Sequence, residues 1–238
     1  MKTVLITGGS RGIGAEMVRR YAQNGYRVAF VYRQSVEVAE NLSRETGALA
    51  ICADVSKEVD VCRAVSEARE NLGGIDVLVN NAAVSAFSLF TDITTNEWNR
   101  LISVNLNGAF YFCREILPEM IARKSGRIIN ISSMWGQVGA SCEVHYSVTK
   151  AALIGLTKSL AKEVGPSGVT VNCIAPGLIE TDMNASLDGD ALASLCEETP
   201  LGRIGQPSDV AACALFLSGE GGDFITGQVI GVNGGFVI

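Results

Sequence analysis

A doubly wound, mostly parallel α/β sheet in a single domain is the fold class this 238-residue sequence predicts, and three observations predict it. Short apolar runs alternate with longer amphipathic stretches from one end of the chain to the other. The runs are continuous in Val, Ile and Leu rather than alternating with polar residues, as strands buried on both faces of a parallel sheet require. No linker, internal repeat or low-complexity segment interrupts the βα rhythm, so one domain spans residues 1–238 with helices on both faces of a seven-stranded sheet.

In order, strands are expected at 2–6, 27–32, 48–53, 76–80, 127–132, 170–175 and 229–232. Helices are expected near 12–24, 36–46, 57–71, 96–123, 146–164 and 207–218. One segment breaks the alternation. Residues 183–206 carry the turn-prone Asp188-Gly189-Asp190 and Thr199-Pro200 around a short helical piece. A long irregular connection in a compact domain is usually a functional loop, so a substrate lid is expected there.

Bulk properties narrow the partners. Hydrophobic residues make up 47% and charged ones 18%, enough apolar surface for a large core and too little charge for disorder. A net charge of −6, with no basic run, argues against nucleic acid. The seven cysteines form no Cys-x-x-Cys pair and mostly sit among apolar neighbours, so neither disulfides nor a metal site is expected. The N-terminal apolar run is too short for a signal peptide, and no stretch reaches the length of a membrane span. These features place the protein in the cytoplasm.

The first strand runs directly into Thr7-Gly8-Gly9-Ser10-Arg11-Gly12-Ile13-Gly14 and then a helix. Glycines there let the backbone approach a pyrophosphate, while the helix N-terminus supplies free N–H donors and a positive dipole end. An NAD site wants a carboxylate at the end of the second strand. This chain has Tyr32-Arg33-Gln34 instead, with Arg11 in the glycine turn; two guanidinium groups suit a 2′-phosphate, and NADP(H) is expected. Asp54-Val55 and Asn80-Asn81-Ala82-Ala83 end the third and fourth strands, where an open α/β sheet holds its ligands.

The remaining chemistry gathers between Asn130 and Lys150. Ser133 stands at the end of an apolar run, and Tyr146 and Lys150 are four apart in a helical stretch, so phenol and ammonium share one face. Such a trio can handle a proton beside a substrate.

Taken together, Thr7-Gly8-x3-Gly12-x-Gly14, Asn80-Asn81-Ala82, Ser133, Tyr146-x3-Lys150 and Pro176-Gly177 resemble, in order and spacing, the short-chain dehydrogenase/reductase family over nearly the whole chain. Ser10-Arg11-Gly12-Ile13-Gly14 and Ile225-Thr226-Gly227-Gln228-Val229 most resemble its 3-oxoacyl-[acyl-carrier-protein] reductase branch, which works in fatty acid biosynthesis. Ala83 departs from the glycine usual at that position.

The resemblance implies a Rossmann fold and NADPH-dependent reduction of a ketone, a 3-oxoacyl thioester by analogy. It implies that Tyr146 is the general acid, that Lys150 lowers the phenol pKa and holds the nicotinamide ribose, and that Ser133 polarises the carbonyl. Asn105, inside the 96–123 helix, would hold a water that links Lys150 to solvent. The cofactor would meet Gly8, Ser10, Arg11, Gly12, Ile13, Gly14, Arg33, Asp54, Val55, Asn81, Ala82, Ala83, Tyr146, Lys150, Pro176, Gly177, Ile179 and Thr181, the last two at its carboxamide.

Trp135, Cys142 and Glu143 are candidates to line the substrate pocket, with core packing an equal prospect for Trp135; His145 is expected to be a packing or interface residue. The 134–145 loop is bulkier and more acidic than an acyl thioester needs. It also resembles a bacterial subgroup that reduces an aminopentanone group on elongation factor P, where Glu143 would meet an amine. A non-catalytic NADP-binding sensor or scaffold is the third reading. A homotetramer is expected by family analogy.

Overall fold

The computed structural model describes residues 1–182 and 189–238. Its elements are β1 (Thr3–Thr7), α1 (Gly12–Gln23), β2 (Arg27–Tyr32), α2 (Val36–Thr46), β3 (Leu49–Cys52), α3 (Glu58–Leu72) and β4 (Val77–Asn80). After these come α4 (Thr95–Leu101), α5 (Gly108–Arg123), β5 (Gly126–Ile131), α6 (Trp135–Val138), α7 (Val144–Val164), β6 (Val169–Pro176), α8 (Gly189–Glu198), α9 (Pro207–Ser218) and β7 (Val229–Val232). All seven strands pair in parallel in the order β3-β2-β1-β4-β5-β6-β7. The strand order reverses between β1 and β4, so a crevice opens there at the strands' carboxyl ends.

Successive residues of each strand point to opposite faces, and the two faces bury separate cores. Leu5, Val31, Leu78 and Ile128 pack with α3, α5 and the end of α7 through Val65, Phe112, Ile116 and Val164. Val4, Ile6, Phe30, Val79 and Ile129 pack on the other face with α1, α2 and α9 through Met17, Val18, Leu42, Val210 and Leu217. The continuous apolar strands follow from this two-sided burial.

The expected 96–123 helix is present but not regular. Between α4 and α5 the turn at Ile102–Asn107 widens to π-type hydrogen bonding, without a proline or glycine to cause it. It turns Asn105 inward, where only 2% of the residue is exposed. Helix α7 begins two residues earlier than its periodicity predicts, and the one-turn α6 before it was not anticipated. Gly136 permits that turn, since a Cβ there would stand 2.7 Å from Ser132 Oγ and 2.8 Å from the Lys150 carbonyl carbon.

Residues 183–188 of the expected lid lie outside the described residues; the short helical piece is α8. Beyond it the segment is fastened to the rest of the domain. Leu201 N donates to Gly234 O (3.1 Å), and Gly205 N donates to Leu178 O (2.8 Å). No helix among the described residues is long and apolar enough to cross a membrane.

Candidate active site

The glycine turn after β1 is shaped by close approach. Gly8 takes φ +65°, and a Cβ there would stand 2.8 Å from Ala82 Cα; a Cβ on Gly14 would run into the Gly8 carbonyl. Thr7 Oγ1 accepts from Asn81 N (2.9 Å) and Ala82 N (3.0 Å), while Asn81 Nδ2 donates to the carbonyls of Thr7 and Gly8, both at 3.0 Å. The ends of β1 and β4 are thereby locked together. Helix α1 then starts with no side-chain cap and no acidic residue in its first turn. Its leading N–H groups and positive dipole end are left for an anion.

A cleft of about 460 Å³ lies over this turn at the point where the strand order reverses. Gly8, Ser10, Arg11, Gly12, Ile13, Gly14, Arg33, Asp54, Val55, Asn81, Ala82, Ala83 and Thr181 all line it. Arg33 Nη1 lies 3.7 Å from Asp54 Oδ2, a loose pair. Burial opposes ionisation of Asp54, but hydrogen bonds from Ser56 Oγ (2.7 Å) and N (3.0 Å), with Arg33 and Lys57 behind them, hold its carboxyl below the usual range. Uncapped helix N–H groups, a turn open to close approach and two guanidiniums fit a dinucleotide with an additional phosphate.

Pro176, Gly177 and Ile179 do not reach the lining of that cleft. Ile179 is 3% exposed in the core with α9, and Gly177 lies so close to Asn233 that a Cβ would stand 2.8 Å from its Cα. The Pro176 carbonyl accepts from Met134 N at 2.8 Å, which seats Pro176 beside Ser133 instead. Arg100 and Val104, two wall residues from α4 and the π turn, were missed. Their side of the helix could not be phased from sequence because the π turn shifts the register.

Ser133, Tyr146 and Lys150 do come together, all of them buried. Ser133 lies two residues beyond the end of β5, and its Oγ accepts from Trp135 N (3.1 Å), which fixes its direction. Tyr146 and Lys150 occupy one face of α7, with Lys150 Nζ 5.5 Å from the centroid of the phenol ring. Ser132 Oγ donates to the Lys150 carbonyl (2.7 Å), anchoring α7 to the end of β5. Asn80 Nδ2 donates to Asn130 Oδ1 (2.9 Å), and Asn130 Nδ2 donates to Thr157 Oγ1 (2.8 Å), a buried amide ladder beneath the trio that sequence reasoning missed.

Known proteins match nearly the whole length of the chain. The family model described as enoyl-(acyl carrier protein) reductase covers residues 8–237. The 3-oxoacyl-[acyl-carrier-protein] reductase FabG of Aquifex aeolicus is 41% identical, over 98% of this chain and 96% of that protein. FabG of Staphylococcus aureus is 40% identical, over 98% and 97%. Among solved structures, a double mutant of a Serratia marcescens short-chain dehydrogenase/reductase superposes with a TM-score of 0.91 at 34% identity, covering 99% of this chain and 97% of that one. The 3-oxoacyl-[acyl-carrier protein] reductase of Brucella melitensis gives 0.93 at 34% identity, covering 100% and 92%.

The chain belongs to the short-chain dehydrogenase/reductase family. It is therefore an oxidoreductase of the kind that uses a nicotinamide cofactor. Burial pushes the Tyr146 phenol up, the nearby Glu143 carboxylate pushes it further, and Ser133 pulls it down. The Lys150 ammonium donates to the Ile131 carbonyl (2.8 Å), and burial lowers the lysine to about 8.

The Asn105 side chain makes three hydrogen bonds within the protein. Its Oδ1 accepts from Val84 N (2.8 Å), and its Nδ2 donates to Val84 O (2.9 Å) and Thr149 Oγ1 (3.1 Å). Both amide hydrogens are already used. Trp135 makes an edge contact with Phe236 at 5.7 Å, which ties α6 to the C-terminal tail. His145 is 1% exposed, a packed residue as expected.

Proposed function

We propose that this chain is an NADPH-dependent carbonyl reductase, acting on a 3-oxoacyl thioester carried by acyl carrier protein. One observation carries the reading: a buried Ser133–Tyr146–Lys150 trio beside a cleft lined by an uncapped helix N-terminus, Arg11 and Arg33. The names of the relatives point to the same substrate. Arg11 and Arg33 would take the 2′-phosphate, and Thr181 would stand near the carboxamide. Lys150, Pro176, Gly177 and Ile179 would bound the nicotinamide end by analogy with the family.

When bound, the nicotinamide supplies the hydride. Ser133 Oγ–H donates to the ketone oxygen and polarises it, and charge grows on that oxygen in the transition state. Tyr146 then protonates it. A phenol held protonated by burial is a competent acid toward an alkoxide, which is far more basic. Lys150, depressed to about 8, can exchange a proton near neutral pH and hold charge behind the ring. Asn105 clamps Val84 of the cleft wall to α7, so the proton donor stays in register with the cofactor.

Steady-state oxidation of NADPH against NADH, with acyl-carrier-protein thioesters and free ketones, tests this. Turnover is expected with NADPH and a 3-oxoacyl thioester, and its loss in Tyr146→Phe. Absence of turnover in both forms over the whole panel would leave the non-catalytic reading standing.

A second substrate reading rests on Glu143. Among the described residues its side chain has no hydrogen bond or ion pair, and burial pushes its carboxyl up even though His145 pulls it down. An unpaired, half-buried carboxylate beside the reacting phenol suits a ketone that carries an amine, as on a modified elongation factor P. The exposed apolar residues Phe110 and Ile121 on α5 and Val148 on α7 support the homotetramer, and the cytoplasm is the proposed compartment.

A further inference from the structure

The only histidine, His145, is 1% exposed on α7, and neither of its ring nitrogens has a hydrogen-bond partner. An imidazole always carries at least one N–H, and a buried donor without an acceptor is costly. Glu97 on α4 stands opposite, its Oε1 3.6 Å from Nε2. Glu97 also receives the Ser88 hydroxyl, at 3.5 Å to each of its oxygens. Ser88 N in turn donates to Cys142 O (2.8 Å), in the loop between Ser133 and Tyr146. These contacts tie Ser88 to α4 and to the loop before α7, and Ser88 lies in residues 85–92, the segment that leaves the cleft at Ser85. That segment carries Phe87, Leu89 and Phe90, exposed by 77%, 60% and 66%.

Three large apolar side chains on one short loop form a patch of the kind that marks a binding surface. Its continuity at one end with the cleft wall, and at the other with the loop before Tyr146, places it at the entrance to the reacting atoms. We propose that Phe87, Leu89 and Phe90 receive the acyl chain of the substrate, and that His145, Glu97 and Ser88 are positioning residues that hold this apolar rim against α7. The contacts from Glu97 to His145 at 3.6 Å and to Ser88 at 3.5 Å are the latch that holds the rim in place. Glu143 is the other carboxylate close enough to act on His145, and its charge also acts on the Tyr146 phenol. The acyl substrate rests on the reductase reading above, whereas the latch does not.

The test has two arms. Hydrogen exchange of the 85–92 amides reads the latch without any substrate. Glu97→Ala and His145→Leu are expected to speed exchange there, and the milder Glu97→Gln and His145→Gln to restore most of the protection. Kinetics with NADPH and 3-oxoacyl thioesters of increasing length reads the rim. The two disruptive variants are expected to raise KM for long chains roughly three- to tenfold, the weight of one net hydrogen bond, with kcat and the KM for acetoacetyl thioester little changed. Unchanged exchange at 85–92, or a loss of kcat equal for short and long chains, would overturn the proposal. If the wild type reduces no thioester, the acyl-chain assignment and the reductase reading fail together, while the exchange arm still decides the latch.

Discussion

Asn105 donates an amide hydrogen to the Thr149 hydroxyl at 3.1 Å, and this bond joins the wall of the cofactor cleft to the catalytic helix. Thr149 Oγ1 passes its own hydrogen to the Tyr146 carbonyl at 2.8 Å. On its other side Asn105 exchanges two hydrogen bonds with Val84. The sheet brings β4 and β5 side by side, but the spacing of Val84 from Tyr146 is set by this side-chain clamp. The π turn is the local cost of aiming Asn105 inward.

Asn105→Ala should therefore be both unstable and slow. It strips one buried and two part-buried hydrogen bonds at about 0.5–1.5 kcal/mol each and leaves the Val84 backbone groups unpaired, for an expected loss of about 2–4 kcal/mol. A Thr149→Val variant breaks two bonds, from Asn105 and to the Tyr146 carbonyl, and keeps both Asn105 bonds to Val84, so it should lose about 1–3 kcal/mol while still lowering kcat. Urea unfolding paired with single-turnover hydride transfer would check both. Full kcat in Thr149→Val would show that the clamp does not set the proton donor.

Arg33→Ala is expected to weaken NADPH and spare NADH. Its pair with Asp54 is 3.7 Å long and 45% exposed on the arginine side, so breaking it costs little. A charge-assisted bond to a 2′-phosphate is worth about 1.5–3 kcal/mol, which corresponds to roughly 10- to 100-fold in Kd. Fluorescence titration of both nucleotides measures the ratio. Equal weakening of the two would remove Arg33 from the 2′-phosphate site.

Much of this was legible because the relevant signals are local. Continuous Val/Ile/Leu runs announce two-sided burial, and the four-residue spacing of Tyr146 and Lys150 puts them on one face whatever the partner. What escaped depends on contacts distant in sequence. Nothing near Asn105 foretells that Val84 and Thr149 will draw it into a π turn. Ile179 reads as a loop residue until β6 and α9 enclose it, and Trp135–Val138 is too short for a periodicity. The direction of the Lys150 ammonium follows from the Ile131 carbonyl, a group every residue has and no side-chain pattern can mark.

Glu143→Gln separates the two substrate readings. The carboxylate raises the phenol pKa and has no described partner of its own. Removing its charge should abolish any preference for an amine-bearing ketone over a neutral one of equal length, without slowing the neutral one. Competition assays with matched ketones give the selectivity directly. Selectivity identical to the wild type would retire the amine reading and leave the acyl thioester.

Lys150→Met should be inactive and more stable near pH 7. Burial lowers the lysine from 10.5 to about 8, so keeping it charged costs the folded state about 3 kcal/mol, partly offset by about 1 kcal/mol from its bond to Ile131. For a cation whose folded pKa is depressed, the unfolded chain binds the proton more tightly. Stability then rises with pH from about 8 toward 10.5 and is lowest, and flat, below about 8. The buried thiols of Cys173 and Cys213, both pushed up to about 11, act in the opposite sense once free thiols begin to ionise. Cys213 contributes equally to wild type and variant, whereas Lys150 pulls the Cys173 thiol down. Removing Lys150 only raises that thiol further, so it stays un-ionised in both folded forms up to pH 9 and the difference between them there reports Lys150. Between pH 7 and 9 the wild type is expected to gain about 1 kcal/mol relative to Lys150→Met. Thermal unfolding of the two proteins at the two pH values measures it. A constant difference would mean that Lys150 titrates in the folded protein as it does in the unfolded chain.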